Sequence, residues 1–136
     1  MTRKSVLLVF WILGILFPMA WFTRVSATYN RVFQYVFTPT WTHVVMHAFL
    51  YTVLAYLLGQ VLGPRLGLHR GRWWLGIILV LILGVALLQE GVQLGYTAQP
   101  PGADEMLDIG VDLLGGGLGM VVLWWQARRS RRRMAG

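Results

Sequence analysis

Residues 73–96 read WWLGIILVLILGVALLQEGVQLGY: sixteen residues without a charge, an amide or a hydroxyl, then Gln89, Glu90 and Gln93 close together. A helix spanning the bilayer core needs about 17–25 predominantly apolar residues. This stretch meets that length and puts its polar groups at one end. Three further apolar runs, at 5–22, 44–62 and 109–125, have similar length and composition. The predicted fold is all-α and polytopic: a small bundle of four transmembrane helices at about 5–22, 41–63, 73–96 and 104–126, forming one domain over 1–136 with a basic tail at 127–136.

Composition agrees with this. Of the 136 residues, 57% are hydrophobic and 12% charged, against roughly 45–50% and about 25% in soluble domains. No cysteine is present, so disulfides, thiolate metal sites and cysteine nucleophiles are excluded.

The formal charge of +7 would point to nucleic acid in a soluble protein, but here the positions of the basic residues give it another meaning. With four helices, Arg3, Lys4, Arg65, Arg70, Arg72, Arg128, Arg129, Arg131, Arg132 and Arg133 share one side, and Arg24 and Arg31 the other. The positive-inside rule then predicts a multi-pass protein of the cell membrane with both termini cytoplasmic. Trp73, Trp74, Trp124 and Trp125 fall at the inner interface, Trp21 and Trp41 at the outer one. The cluster Arg128, Arg129, Arg131, Arg132 and Arg133 reads as contacts to anionic lipid headgroups rather than to nucleic acid. A competing reading of the first segment is a signal peptide ending at Val25-Ser26-Ala27; retention as the first helix is preferred.

Between the first two helices, residues 23–40 place Val25, Tyr29, Val32, Phe33, Val36 and Phe37 at helical spacing. A short interfacial helix on the outer surface, closed by Pro39, is expected. Pro18 is expected to bend the first helix near its outer end. Pro64 with Gly67 and Gly71 marks a turn, and Pro100-Pro101-Gly102 stops the third helix.

All five carboxylates, Glu90, Asp104, Glu105, Asp108 and Asp112, lie within one 23-residue window. Helix directions bring His43 and His47, then Glu90 and Gln93, then Asp108 and Asp112 to one depth in the outer half of the membrane. His43, His47 and Tyr51 recur every four residues and share a face, as do Asp108, Asp112, Gly115 and Gly119. Ionisable groups at such depth are costly and should face one another or water, so these seven polar residues form the candidate pocket, with His47 expected to pair with Glu90 or Asp108. Gly91 with Gly95, and Gly115-Gly116-Gly117 with Gly119, offer small surfaces for helix packing. The glycine run at 115–117 lacks the lysine and the preceding strand of a phosphate loop, and no cofactor is expected.

The pieces His47-Ala48-Phe49-Leu50-Tyr51, Glu90-Gly91-Val92-Gln93, and Asp108 to Gly119 with its two aspartates and spaced glycines resemble the VanZ-like family, named for a teicoplanin-resistance accessory protein. The resemblance covers about 41–123. It implies a cell-envelope membrane protein and low-level glycopeptide tolerance, but no reaction. Asp112 stands where the family usually has asparagine, and the family's lysine near the histidine and arginine before the last acids are missing. The cluster is therefore more acidic than the pattern implies; a metal ion, an external cation or a protonated acid would balance it.

Three functions follow. The first is a VanZ-like protein whose outer-leaflet pocket binds an envelope component. The second is a small accessory subunit packed against other membrane proteins through its glycine faces. The third is a metal-dependent membrane enzyme using His43 and His47 with an acid. The weight falls on binding rather than catalysis, with membrane lipids as the expected partners.

Overall fold

Proline decides where the first helix stops. In the computed structural model, which describes residues 2–17, 19–37, 39–66, 73–97 and 102–134, helix α1 spans Arg3–Leu16 and ends at Phe17, whose backbone is extended at φ −75° and ψ 119°. The ring of a following proline disfavours helical backbone in the residue before it, and Pro18 follows Phe17. The segment 5–22, expected as one helix, is thus divided into α1 and a 3-10 segment, Met19–Arg24. Pro18 itself lies outside the described residues. At its start α1 is capped by Thr2, whose hydroxyl accepts from the Ser5 amide at 3.3 Å.

Four more helices follow: α2 Ala27–Phe37, α3 Thr40–Leu66, α4 Trp73–Thr97 and α5 Ala103–Met134. The described residues contain no strand. Three helices, α3, α4 and α5, are long and apolar enough to cross a membrane, over Thr40–Pro64, Trp73–Gly95 and Met106–Arg129. No more than 39% of the apolar window of any of the three is buried within the fold. Most of each apolar surface therefore points outward, as a lipid-facing surface would.

The core forms where the helical periodicity aligns small and branched side chains. On α4, Ile78, Ile82 and Ala86 recur every four residues and are fully buried. On α3, Tyr51, Leu54 and Ala55 meet them, with Leu57 and Leu58 one turn on. Helix α1 adds Leu8 and Ile15. It lies antiparallel to α3, because Lys4 Nζ donates to Gln60 Oε1 at 2.7 Å near one end and the Trp11 indole donates to the Leu50 carbonyl at 3.0 Å further along. The indole also meets Phe49 edge-on, with ring centroids 6.2 Å apart.

Helices α3 and α5 run parallel and pack closely, because glycine leaves room for backbone. A Cβ on Gly115 would sit 2.5 Å from the Ala48 carbonyl oxygen, and one on Gly119 would strike the carbonyl of Thr52. The Thr52 hydroxyl lies 2.7 Å from the Ala48 carbonyl oxygen and 2.9 Å from that of Gly115, so its one proton is shared between the two helices. Lower down, Gly59 accommodates the Leu123 side chain, and on the other face Gly116 accommodates Ile82 of α4.

Helix α2 falls within the stretch expected to form the short connecting helix. Ser26 caps it, its hydroxyl accepting from the Tyr29 amide at 3.2 Å. Tyr29 stacks on Phe33 and Phe33 lies against Phe37, and Phe22 joins the series from the 3-10 segment. None of its residues is buried.

At the other end, α5 continues through the basic segment to Met134 rather than stopping near 126. Residues 127–134 contain neither glycine nor proline, and arginine is a good helix former. Arg128 lies 3.6 Å over the Trp124 ring and Arg129 3.4 Å over that of Trp125; these are i,i+4 cation–π pairs that favour helix over coil. The side chains of Arg131, Arg132 and Arg133, and the turn at 67–72, lie outside the described residues.

Candidate functional site

The parallel register of α3 and α5 produces two histidine–aspartate pairs, each joining residues 65 apart in the chain. His43 Nε2 lies 3.0 Å from Asp108 Oδ2. One turn further in, His47 Nδ1 lies 2.8 Å from Asp112 Oδ1. An ionised carboxylate only accepts, so in each pair the ring nitrogen donates. The two imidazoles stack with centroids 4.5 Å apart and planes 24° from parallel.

Exposure falls steeply along this ladder. The His43 side chain is 39% exposed and that of Asp108 14%, whereas the His47 side chain is 7% exposed and Asp112 is completely buried. The site thus has an open rim and a closed floor. Below the second pair, the Tyr51 hydroxyl donates to Gln89 Oε1 at 2.9 Å, tying α3 to α4. Glu90, the next residue of α4, is buried and lies within electrostatic range of His43 and Tyr51.

Asp112 Oδ2 is buried and makes no hydrogen bond among the described residues. Asp112 also lies close enough to the Tyr51 hydroxyl to interact with it. That hydroxyl has one proton, and with Gln89 as its acceptor the proton is unavailable to Asp112. Turning the Gln89 amide end over would let its NH2 donate to the Tyr51 oxygen and would redirect the hydroxyl proton to Asp112.

The structure brings His43, His47, Tyr51, Asp108 and Asp112 into one interhelical cluster, with Glu90 and Gln89 closing it from α4. His47 meets Asp112 rather than Glu90 or Asp108. Gln93 is exposed on α4. Of the packing glycines, Gly115 and Gly119 lie against the α3 backbone, while Gly91 and Gly95 have open space where a Cβ would stand. Thr52 and Gly59 act as joints that sequence reasoning passed over, while Gly116, one of the expected small surfaces, packs against Ile82 of α4. Thr52 carried a signal: it lies one turn beyond Ala48, on the stripe that meets the glycines of α5.

His43, His47 and Asp108 each offer a ligand atom, and these atoms lie within 4.8 Å of one another. A carboxylate, two imidazoles and a half-open edge can hold a cation, relay a proton or hydrogen-bond a polar head group. No protein-family model matches the chain, and no curated protein or solved structure is significantly similar to it.

Proposed function

We propose that this chain is a VanZ-like integral membrane protein of the cell envelope, crossing the bilayer four times with both termini cytoplasmic. Its outer half holds a polar site that takes the head group of an envelope component. The observation that carries the reading is the pair of His–Asp contacts set between two apolar helices and opening only at His43. Paired ionisable groups inside membrane helices are expensive and mark functional sites by default. The rim at His43 and Asp108 offers a donor and an acceptor, which suits a head group bearing amine, hydroxyl or phosphate.

Four crossings are supported by lengths and by charge. The apolar run at 5–22 has 18 residues, within the about 17–25 that a crossing needs. The ten-to-two division of basic residues orients the helices. Because the chain has no cysteine, single substitutions report topology cleanly. Gly102→Cys is expected to react with an impermeant maleimide from outside and Arg129→Cys only after permeabilisation; external labelling of Arg129→Cys overturns the orientation.

The binding reading is tested by purifying the protein in mild detergent and identifying retained lipids by mass spectrometry, beside His43→Ala and Asp108→Asn protein. A head-group class enriched on the native protein and lost from both variants is expected. Identical lipid profiles in all three would remove the envelope ligand. A second reading, an accessory subunit, is favoured by α4, where Gly84, Gly91 and Gly95 have no neighbour over them and form a surface a further helix could approach. Crosslinking from Gly91→Cys to another membrane protein, with no head group retained, would favour it.

A further inference from the structure

We propose that His43, His47 and Asp108 bind one divalent transition-metal ion, with zinc the ion best suited, and that Asp112 is the positioning residue behind His47. The proposal uses the site described above but does not rest on the envelope ligand.

The donor set comes first. Two imidazole nitrogens and a carboxylate oxygen select zinc and its neighbours over magnesium and calcium, which prefer oxygen alone. Zinc holds such atoms at about 2.0–2.1 Å, which places tetrahedral ligands roughly 3.3 Å apart. His43 Nε2 and Asp108 Oδ2 are already 3.0 Å apart, so an ion replaces the proton they share with little movement. The full set lies within 4.8 Å, and closing it on one ion requires the imidazoles, stacked 24° from parallel, to turn out of their stack so that both lone pairs converge.

The orientation of His47 is the second argument. A histidine ligand usually donates its other ring N–H to a carboxylate, which fixes the tautomer and raises the basicity of the ligating nitrogen. His47 does this: Nδ1 is committed to Asp112 Oδ1 at 2.8 Å, leaving the lone pair on Nε2. Asp112 is completely buried, so an energetic reason is needed to keep a carboxylate there.

Charge supplies that reason. Among the described residues, the ion pairs of Asp108 and Asp112 are with His43 and His47 alone. With neutral imidazoles, the two carboxylates carry two negative charges into an apolar surround, and the buried Glu90 beside them adds to the negative field. One divalent ion offsets the charges of Asp108 and Asp112, and the buried Asp112 Oδ2, which the neighbouring Tyr51 hydroxyl reaches only when it turns from Gln89, then lies in the field of a cation. Three protein ligands leave a fourth position on the exposed His43 side, open to water or to a ligand oxygen.

The test uses full-length protein in detergent, stripped with a chelator and titrated with zinc chloride against a chromogenic zinc indicator. One tight equivalent is expected, lost in His47→Ala and in Asp108→Ala, and weakened about 10- to 100-fold with stoichiometry kept in Asp112→Asn. His69→Ala, at the third histidine, should bind as the native protein does. Cobalt loading of unsubstituted protein gives a readout independent of whether variants fold: intense visible bands of four-coordinate Co2+ are expected, and the weak spectrum of six-coordinate Co2+ counts against the site. Failure to retain one equivalent, or loss of it in His69→Ala rather than His47→Ala, overturns the proposal. Lipid analysis of the stripped protein separates this result from the envelope reading, since either can fail alone.

Discussion

Replacing Gly115 by alanine should separate the two halves of the site, and the structure gives the distance. The new Cβ would lie 2.5 Å from the Ala48 carbonyl oxygen and 2.9 Å from its Cα. Ordinary contact begins near 3.4 Å, and a helix backbone offers no rotamer that could yield, so α3 and α5 must part locally by about 0.9 Å. Ala48 adjoins His47, and Gly115 lies one turn from Asp112. The same displacement stretches the 2.8 Å His47–Asp112 contact to about 3.7 Å, beyond hydrogen-bonding range. Overpacking of this kind costs about 1–3 kcal/mol, and loss of a buried bond adds about 1–3 kcal/mol. Gly117→Ala is the control: it lies on the same helix with nothing within 4 Å of its Cβ, so it should gain up to about 1 kcal/mol of helix propensity. Reversible unfolding in mixed micelles, followed by tryptophan fluorescence, measures both, and the imidazole N–H resonance of His47 reports the hydrogen bond directly. If Gly115→Ala proves as stable as Gly117→Ala with the His47 signal unmoved, the close approach of α3 and α5 is wrong.

Three further outcomes are expected. Trp11→Phe removes the donor to the Leu50 carbonyl and should lower stability by about 0.5–1.5 kcal/mol, chiefly by loosening α1, which hydrogen exchange of that helix would reveal; uniform exchange across the protein would contradict this. Asp112→Asn keeps an acceptor for His47 and should cost less stability than Asp112→Leu, which leaves the imidazole N–H buried and unpaired; equal losses would mean that charge, not hydrogen bonding, holds the pair. Zinc binding should weaken as pH falls, because protons compete for the ligand nitrogens; affinity unchanged from about pH 7.5 to 5.5 would exclude histidine ligands.

Where sequence and structure agree, one period governs both. Helices α3, α4 and α5 begin at Thr40, Trp73 and Ala103, beside the expected 41, 73 and 104, because proline, glycine and a change of hydropathy mark those points locally. The far ends were less legible. Composition reads residues 127–134 as a charged tail, yet nothing there breaks a helix and two tryptophans one turn back receive the arginines. The first span shows the opposite error, since apolar continuity concealed the restriction that Pro18 places on Phe17. The histidine and aspartate stripes were legible as faces of helices. Their pairing was not, because the choice of Asp112 for His47 depends on the register of α3 against α5, which is set by backbone contacts at Gly115, Gly119 and Thr52.

The 65-residue separation within each pair has a bearing on how the chain is made. Synthesis delivers the histidines of α3 first and the aspartates of α5 last, with α4 between them. A carboxylate entering lipid alone costs about 2.5–3.5 kcal/mol at the centre of a helix and less toward its end, and α5 carries Asp108 and Asp112 together with a run of glycines. Residues 103–134 expressed alone should therefore integrate into microsomes less completely than the same segment following α3 and α4, and His43→Ala with His47→Ala should erase the difference. Integration independent of the upstream helices would refute this order. If it holds, the last helix enters the bilayer on the strength of polar partners already waiting there.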